Sequence, residues 1–219
     1  MSQNQDSTLR KLEWCMDRRH HWELIYETKS PEETSWYAPH LATSLEWIME
    51  AAPGYSSSII DVGGGASTLV DDMFANGFRS LTVLDIAGAA IARSQSRLGT
   101  TADEINWIIG DVTSVTLPNA AFDIWHDRAV FHFLTEPEQR SSYVEQVANA
   151  LKPSGQIIIA TFATNGPRSC SGLTTSRYDA ESLQREFGSS FRLQRRATIT
   201  HRTPTGTAQE FLYCRMVRV

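Results

Sequence analysis

A short apolar run that ends in three consecutive glycines constrains this chain more than any other feature. Residues 57–62 read Ser-Ser-Ile-Ile-Asp-Val, the glycines occupy positions 63–65, and apolar residues then recur at helical spacing. A buried strand that turns into a helix through glycines is typical of open α/β sheets, which bind ligands at the carboxyl ends of their strands. Glycine lets the backbone approach a ligand without an intervening Cβ. The sequence therefore predicts an α/β fold with a ligand site at Gly63 and Gly65.

Strand and helix patterns alternate beyond this turn. The further strands predicted in this part of the chain are Leu81–Asp85, Ile105–Ile109, Phe122–Trp125 and Gln156–Thr161. Thr135 and Glu138, with Pro137 in the first turn, predict a capping box for the helix that precedes the strand at Gln156. Such alternation builds a parallel sheet that is covered by helices on both faces.

Two long strand-like runs break the alternation in the C-terminal part of the chain. They cover Arg192–His201 and Glu210–Arg218, and the turn residues 203–206 join them without room for a helix. A hairpin makes its second strand antiparallel to its neighbour. We therefore predict a Rossmann-like, seven-stranded, mostly parallel sheet with a reversed terminal strand.

Length and composition set the domain organisation. The 219 residues contain no internal repeat or low-complexity linker, so we predict a single domain over residues 1–219. Within it, residues 1–55 are predicted to form an N-terminal helical arm and residues 56–219 a Rossmann-like core.

Several classes of protein are disfavoured by composition. The formal net charge of −5 lacks the cationic surplus of a sequence-independent nucleic-acid binder, so a small-molecule partner is predicted. The three cysteines, Cys15, Cys170 and Cys214, are far apart, which predicts neither disulfides nor a metal site. No apolar run is long enough for a membrane span or a signal peptide, and the chain is predicted to be cytoplasmic.

Acidic residues stand at the carboxyl ends of three successive predicted strands. They are Asp61, Asp85 and Asp111, which a parallel sheet brings to one edge. Asp85 is placed to accept hydrogen bonds from both ribose hydroxyls of a nucleoside, and Asp111 to accept one from the adenine amino group. Asp61 would repel a pyrophosphate but can receive an ammonium group, and Thr68 replaces the third glycine of the dinucleotide fingerprint. A cationic methionine joined to adenosine thus fits better than a dinucleotide. Taken singly, each acid also has a purely structural interpretation as a helix cap or turn residue.

These residues resemble the motifs of the class I S-adenosylmethionine-dependent methyltransferases over nearly the whole chain. The matching segments are 61–65 (DVGGG), 84–86 (LDI), 110–112 (GDV), 122–124 (FDI) and 151–155 (LKPSG). The resemblance implies that S-adenosylmethionine is the cofactor and S-adenosylhomocysteine the product. It implies cofactor contacts from Trp22, Trp36, Asp61, Gly63, Gly65, Asp85, Ile86, Asp111, Val112 and His126. A nicotinamide-dependent oxidoreductase and a cofactor-binding protein without turnover are the alternatives from other classes.

Within this class the chain is similar to three branches. Residues 125–129 (WHDRA) resemble a stretch of the thiopurine methyltransferases, and the region from Cys170 to the 201–203 (HRT) hairpin resembles the tellurite-resistance methyltransferases. Both branches imply a small acceptor, most plausibly a thiol or another soft chalcogen nucleophile. Residues 21–26 (HWELIY) resemble a branch of protein lysine methyltransferases, which is the alternative. That branch carries Lys-Gly where this chain has Arg128-Ala129.

The acceptor-side candidates follow the fourth predicted strand. They are His126, Asp127, Arg128 and His132. Arg128 can hold an anionic acceptor but cannot act as a base, and Asp127 can orient Arg128 or bind the methionine ammonium. His132 is either a core-edge histidine with a backbone partner or a general base.

Two further features admit functional and structural interpretations. The aromatic arm at residues 22–37 can offer π faces to a sulfonium, or it can simply fix the N-terminal helix to the sheet. Cys170 is an ordinary loop cysteine or a thiol in a substrate lid.

Overall fold

A seven-stranded sheet organises the structure, a computed structural model that describes residues 18–219; Cys15 lies outside the described residues. The strands of this sheet are β1 (Ile59–Val62), β2 (Leu81–Asp85), β3 (Asn106–Ile109), β4 (Phe122–Arg128), β5 (Leu151–Phe162), β8 (Phe191–Arg202) and β9 (Ala208–Arg218). Their order across the sheet is β3-β2-β1-β4-β5-β9-β8. A separate small hairpin pairs β6 (Ser169–Cys170) with β7 (Leu173–Thr174).

Strand directions confirm the predicted mostly parallel sheet. The strands β1 to β5 run parallel to one another, and β9 is antiparallel to both β5 and β8. The reversed strand is therefore the second strand of the terminal hairpin, as the short connection between the two strands requires.

Helices cover both faces of the sheet. They are α1 (18–28), α2 (Ala42–Ala51), α3 (Leu69–Ala75), α4 (Gly88–Leu98), α5 (Pro137–Ala150) and α6 (Ala180–Phe187). Side chains alternate across a strand, so Ile157 and Ile159 of β5 pack in a core with α5 and α6. Ile158 points to the opposite core, which α2 and α3 complete. The helices on both faces are thus confirmed.

Three local predictions need correction. The capping box of α5 is formed by Glu136 and Gln139, one residue beyond the predicted Thr135 and Glu138. Strand β4 continues through Arg128 and strand β5 begins at Leu151 rather than Gln156. The helix α6 was missed. It begins at the N-cap Asp179, whose carboxylate accepts the backbone N–H of Ser182.

The order of the strands fixes where a ligand site can form. From β1 the chain moves outward through β2 and β3, then returns to place β4 on the other side of β1. This switch between β1 and β4 opens a crevice at the carboxyl ends of the strands, where Asp61, Asp85 and His126–Arg128 are found.

Across residues 18–219, no helix has the length and apolarity that a membrane crossing would need.

Candidate functional site

Two adjoining cavities lie at the carboxyl edge of the sheet. Cavity A reaches from Asp85 and Asp111 to His132 and Phe211. Cavity B is lined by the glycine turn and Asp61. The two cavities share five lining residues: Tyr26, Trp36, Val62, Gly63 and Arg128. They therefore form one continuous site.

Asp85 ends β2 against cavity A. Its Oδ2 accepts the backbone N–H of Gly65 at 3.0 Å, and its Oδ1 accepts that of Ala87 at 2.9 Å. The side chain is buried, and the loss of hydration raises its pKa to about 6 despite these two bonds. Each oxygen retains a lone pair, so the fixed carboxylate can accept from two adjacent hydroxyls.

Asp111 follows β3 and faces the same cavity. Its Oδ1 accepts the backbone N–H of Thr113 at 2.8 Å and the Thr113 hydroxyl at 2.7 Å. The side chain thus stabilises an Asx-type turn and also lines the cavity. Its structural interpretation as a turn residue is therefore compatible with its predicted role as a ligand contact. Ile86 and Val112 line cavity A beside these acids and provide an apolar surface for a flat ring.

Asp61 lines cavity B and is held by His126. Its Oδ1 lies 2.7 Å from Nδ1 of His126, whose Nε2 lies 2.9 Å from the hydroxyl of Ser44. The chain continues from Ser44 to the hydroxyl of Tyr213 at 3.2 Å. The other oxygen of Asp61, Oδ2, is buried without a hydrogen-bond partner among the described residues. A buried carboxylate oxygen of this kind fits an ammonium group.

His126 lines neither cavity in this arrangement. It was predicted as a cofactor contact, but its ring is only 1% exposed and both ring nitrogens are bonded to protein side chains. Its only link to cavity B in the described chain is the hydrogen bond to Asp61.

The glycine turn leaves room for these carboxylates. Gly63 lines both cavities with φ +69°, and a Cβ there would lie 2.1 Å from Cγ2 of Val130. A Cβ on Gly64 would lie 2.3 Å from Oδ2 of Asp61, and one on Gly65 would lie 2.5 Å from Oδ2 of Asp85. Gly65 lines neither cavity, so it contributes by holding Asp85 and not by direct contact.

One face of α1 closes the cavity with aromatic rings. Trp22 packs on Trp36 with ring centroids 5.6 Å apart and on Phe133 at 5.1 Å, and all three rings line cavity A. Glu23 fixes this helix, because its two carboxylate oxygens accept the first backbone N–H groups of α4, those of Gly88 and Ala89. The aromatic rings therefore line the site and also pack the N-terminal helix against it. A contact between these rings and a sulfonium stays a prediction.

Arg128 lies where the two cavities meet. Its Nη1 donates to the backbone carbonyl of Trp36 at 3.0 Å, and its guanidinium carbon lies 4.6 Å from the ring centroid of Phe211. These contacts hold a permanent positive charge in a largely aromatic site.

Asp127 does not reach either cavity, although it was predicted as a catalytic residue. It is fully buried and accepts the hydroxyl of Tyr143 at 2.6 Å together with the backbone N–H groups of Val130 and Phe131. Burial raises its pKa to about 6. Its side chain therefore stabilises the turn after β4. In the described part of the chain, no hydrogen bond joins it to Arg128.

His132 lines cavity A with a completely buried ring. Its Nδ1 accepts the backbone N–H of Phe162 at 3.2 Å, which confirms the interpretation with a backbone partner. A neutral imidazole has one nitrogen lone pair, and this bond uses it. This geometry therefore does not favour the predicted role as a general base.

Several site residues were missed because they come from distant segments. Phe162 of β5 and Phe211 of β9 line cavity A. Ser44 bonds His126, the partner of Asp61, and Tyr143 donates to Asp127. Ser44 carried a usable signal. It lies on the buried face of α2 with Ile48 and Ala51, where a hydroxyl needs a partner.

Comparison with known proteins agrees with this geometry. Residues 59–155 match the family model described as a methyltransferase domain. The matched residues 59–155 therefore carry a methyltransferase domain. The match covers β1 to the start of β5, and so includes all three strand-end acids of the site.

Relatives of this methyltransferase domain are distant. The "eEF1A lysine and N-terminal methyltransferase homolog" of Drosophila melanogaster is 23% identical over 144 residues, which are 63% of this chain and 21% of that protein. The chain therefore matches about a fifth of that relative's length.

Two solved structures share the fold. One, described as "Conversion of a Disulfide Bond into a Thioacetal Group during Echinomycin Biosynthesis", has a TM-score of 0.73 and 17% identity and covers 91% of this chain and 92% of its own. The other is the 1,6-didemethyltoxoflavin-N1-methyltransferase of Burkholderia thailandensis with bound S-adenosylhomocysteine. It has a TM-score of 0.67 and 14% identity and covers 100% of this chain and 91% of its own.

In the described part of the chain, no three His, Cys, Asp or Glu side chains come together as metal ligands.

Proposed function

We propose that this chain transfers the methyl group of S-adenosylmethionine to a small-molecule acceptor, namely a thiol or another soft chalcogen nucleophile. The observation that carries the proposal is the placement of Asp61, Asp85 and Asp111 around one continuous site. Acidic side chains in this position favour a cationic, phosphate-free nucleoside.

Each part of this cofactor has a matching group in the site. Asp85 is positioned for the ribose hydroxyls, while Asp111, Ile86 and Val112 surround the place for adenine. The free Oδ2 of Asp61 beside the glycine turn suits the methionine ammonium. Trp22 and Trp36 line cavity A on the α1 side, where a π face attracts a sulfonium. The described part of the N-terminal arm, residues 18–55, would then serve as a cap on the core formed by residues 56–219.

The bound cofactor supplies an activated methyl group that is open to direct displacement. What remains for the protein is to hold the acceptor in line with that group and to exclude water, which is worth several kcal/mol. The far end of cavity A suits this role, because Phe133, Phe162 and Phe211 make it apolar while Arg128 adds a fixed positive charge. A soft anion with an apolar body fits such a cavity.

Protein lysine methylation is the second candidate function, favoured by the lysine-methylating relative. A lysine amine must lose a proton before it can attack, which calls for a nearby base. Asp127 is directed into the core, and the arginines at the acceptor end, Arg18 and Arg128, repel an ammonium. The contacts therefore favour the small anionic acceptor.

A labelled-donor assay separates these functions. The protein is incubated with methyl-labelled S-adenosylmethionine and either thiols, sulfide, selenide, tellurite, halides, amines or cell proteins. Label in a small thiol or chalcogen product supports the proposal, whereas label confined to protein lysines establishes the second candidate. Absence of S-adenosylhomocysteine with every acceptor would indicate a binding protein without turnover. Calorimetric titration with NADH and with S-adenosylhomocysteine distinguishes an oxidoreductase, which would bind NADH, from a methyltransferase, which would bind S-adenosylhomocysteine.

Arg128→Ala is expected to raise the KM of the acceptor at least about tenfold while changing that of the cofactor less than about threefold. Loss of one bond between a fixed cation and an anionic group costs about 1.5–3 kcal/mol. Steady-state kinetics with each substrate varied in turn provide the measurement.

Arg177→Ala is the matched control for this variant. Arg177 also donates to a backbone carbonyl, that of Thr164, but it lines neither cavity, so both KM values should stay unchanged. Equal increases in both KM values for Arg128→Ala would instead make Arg128 a cofactor or structural residue.

A further inference from the structure

The Nε2 atom of His132 is a buried polar group that the protein itself leaves unused. The ring is 0% exposed and stacks on Phe162 with centroids 4.3 Å apart. Its Nδ1 accepts the Phe162 N–H, but Nε2 has no hydrogen-bond partner among residues 18–219. Buried polar atoms without partners are uncommon in native proteins and call for an explanation.

The bond at Nδ1 determines the chemical state of Nε2. Because Nδ1 accepts a hydrogen bond, the proton of the neutral ring must sit on Nε2, which is then a donor. Burial and the nearby charges of Arg128 and Arg18 lower the pKa of His132 to about 3, so the ring is neutral at physiological pH. His132 thus presents a fixed N–H group and cannot accept a proton.

The groups around this N–H favour negative charge. Arg128 and Arg18 line the same cavity, and Arg18 is held there by a bond to the carbonyl of Phe133. The other titratable side chains that line cavity A in the described chain are Tyr26, Asp85, Asp111 and Cys170. The two acids lie at the end of cavity A that the proposed function assigns to the nucleoside. Burial raises the pKa of both Tyr26 and Cys170, so these two side chains stay neutral.

We propose that the Nε2–H of His132 and the guanidinium of Arg128 form an anion subsite that receives the acceptor already ionised. This inference rests on the proposed function and deepens it. The lone pair of the anionic nucleophile forms the bond to the methyl carbon, and the bond from that carbon to the donor sulfur breaks towards sulfur. No proton moves, so the protein supplies no general base. The charge state of the acceptor, and not that of a catalytic residue, then determines which molecules react.

The probe for this subsite is 4-nitrothiophenolate, an arenethiolate that is ionised at neutral pH. Its uncharged partner is 4-nitrothioanisole, which carries a methyl group on the same sulfur. Both are titrated calorimetrically into the protein saturated with S-adenosylhomocysteine. We expect the wild-type complex to bind the thiolate at least about tenfold more tightly than the thioether. A complex without this preference, including one that binds neither compound, overturns the subsite without requiring any variant.

Two substitutions at His132 isolate the N–H group. His132→Asn keeps an oxygen near the Nδ1 position for the Phe162 N–H but removes the Nε2 donor, and His132→Gln places an amide N–H near Nε2. We expect His132→Asn to weaken thiolate binding about 10- to 100-fold and to leave the thioether and S-adenosylhomocysteine affinities unchanged. His132→Gln is expected to recover most of the loss. Equal weakening of thiolate and thioether, or no recovery with glutamine, would show a purely structural role.

The failure of this proposal is distinguishable from the failure of the proposed function. A wild-type protein that prefers the thiolate but transfers no methyl group to any thiol retains the subsite and contradicts the proposed function. A protein that methylates thiols while His132→Asn keeps full thiolate affinity retains the function and contradicts the subsite.

Discussion

Asp85→Ala is expected to weaken the binding of S-adenosylhomocysteine by about 100-fold or more. The carboxylate lies at the tip of β2 against cavity A, and two backbone N–H groups fix its orientation. A hydrogen bond to a charged acceptor contributes about 1.5–3 kcal/mol, and two ribose hydroxyls would lose one each. Calorimetric titration measures the affinity, and circular dichroism checks that the variant is folded.

Two further variants make this test specific. Asp85→Asn keeps an oxygen acceptor for one of the two backbone N–H groups and is expected to lose most of the affinity with less effect on the fold. Asp123→Asn is the control, since Asp123 also accepts a backbone N–H, from Ser58, but stands near the amino end of β4. Its affinity for S-adenosylhomocysteine should match that of the wild type. Unchanged affinity in Asp85→Ala would refute the assignment.

The raised pKa of Asp85 gives the same interaction a pH dependence. A carboxyl whose pKa of about 6 in the folded protein exceeds its unfolded value binds its proton more tightly when folded. Its contribution to stability is therefore present at low pH and is lost as the pH rises through about 6. Ligand binding depends on the ionised form, so affinity should fall as the pH drops below about 6. Asp85→Asn should remove this part of the pH dependence.

His126→Leu is expected to lower the free energy of unfolding by about 3–5 kcal/mol. The imidazole is the only described partner of Asp61 Oδ1, and the two side chains are 1% (His126) and 3% (Asp61) exposed. Removing one partner leaves a buried carboxylate without compensation and leaves the hydroxyl of Ser44 with one bond fewer. Denaturant titration measures the change.

An exposed ion pair provides the matched comparison for this effect. Lys152 pairs with Asp123 at 2.8 Å, but the two side chains are 39% and 22% exposed. Lys152→Met is expected to cost less than about 1 kcal/mol. Similar losses in the two variants would contradict the importance of burial at His126.

The milder variant His126→Gln tests whether this histidine acts on the ligand through Asp61. This variant should weaken the binding of S-adenosylhomocysteine about tenfold. The affinity for 5′-methylthioadenosine, which lacks the amino-acid part, should stay unchanged. Equal loss for both ligands would make His126 purely structural.

The sheet was predictable because its signals are local. Apolar runs with acids at their carboxyl ends identify β1 and β2, and the short turn of the terminal hairpin fixes the direction of β9. The family model and the strand directions confirm this part of the sequence analysis.

The extent of β4 was not predictable from the same signals. The apolar run ends at Trp125, and the three polar residues that follow resemble the start of a loop. In the structure His126 and Asp127 are buried in the strand, because Asp61 and Tyr143 provide partners from distant segments. Such partners exist only once the chain has folded, so the sequence pattern around residue 126 carries no trace of them. This is also why sequence reasoning predicts direct ligand contacts for His126 and Asp127, although neither side chain lines a cavity.

The glycine turn has a consequence for redesigning this protein towards bulkier donor analogues. The spaces that side chains at positions 63, 64 and 65 would fill already belong to Val130, Asp61 and Asp85 respectively. A library that randomises this turn would therefore consist mostly of inactive members, whatever analogue is offered. Enlargement has to come from trimming Trp22 or Trp36, whose rings line the cavity and do not hold the acids in place.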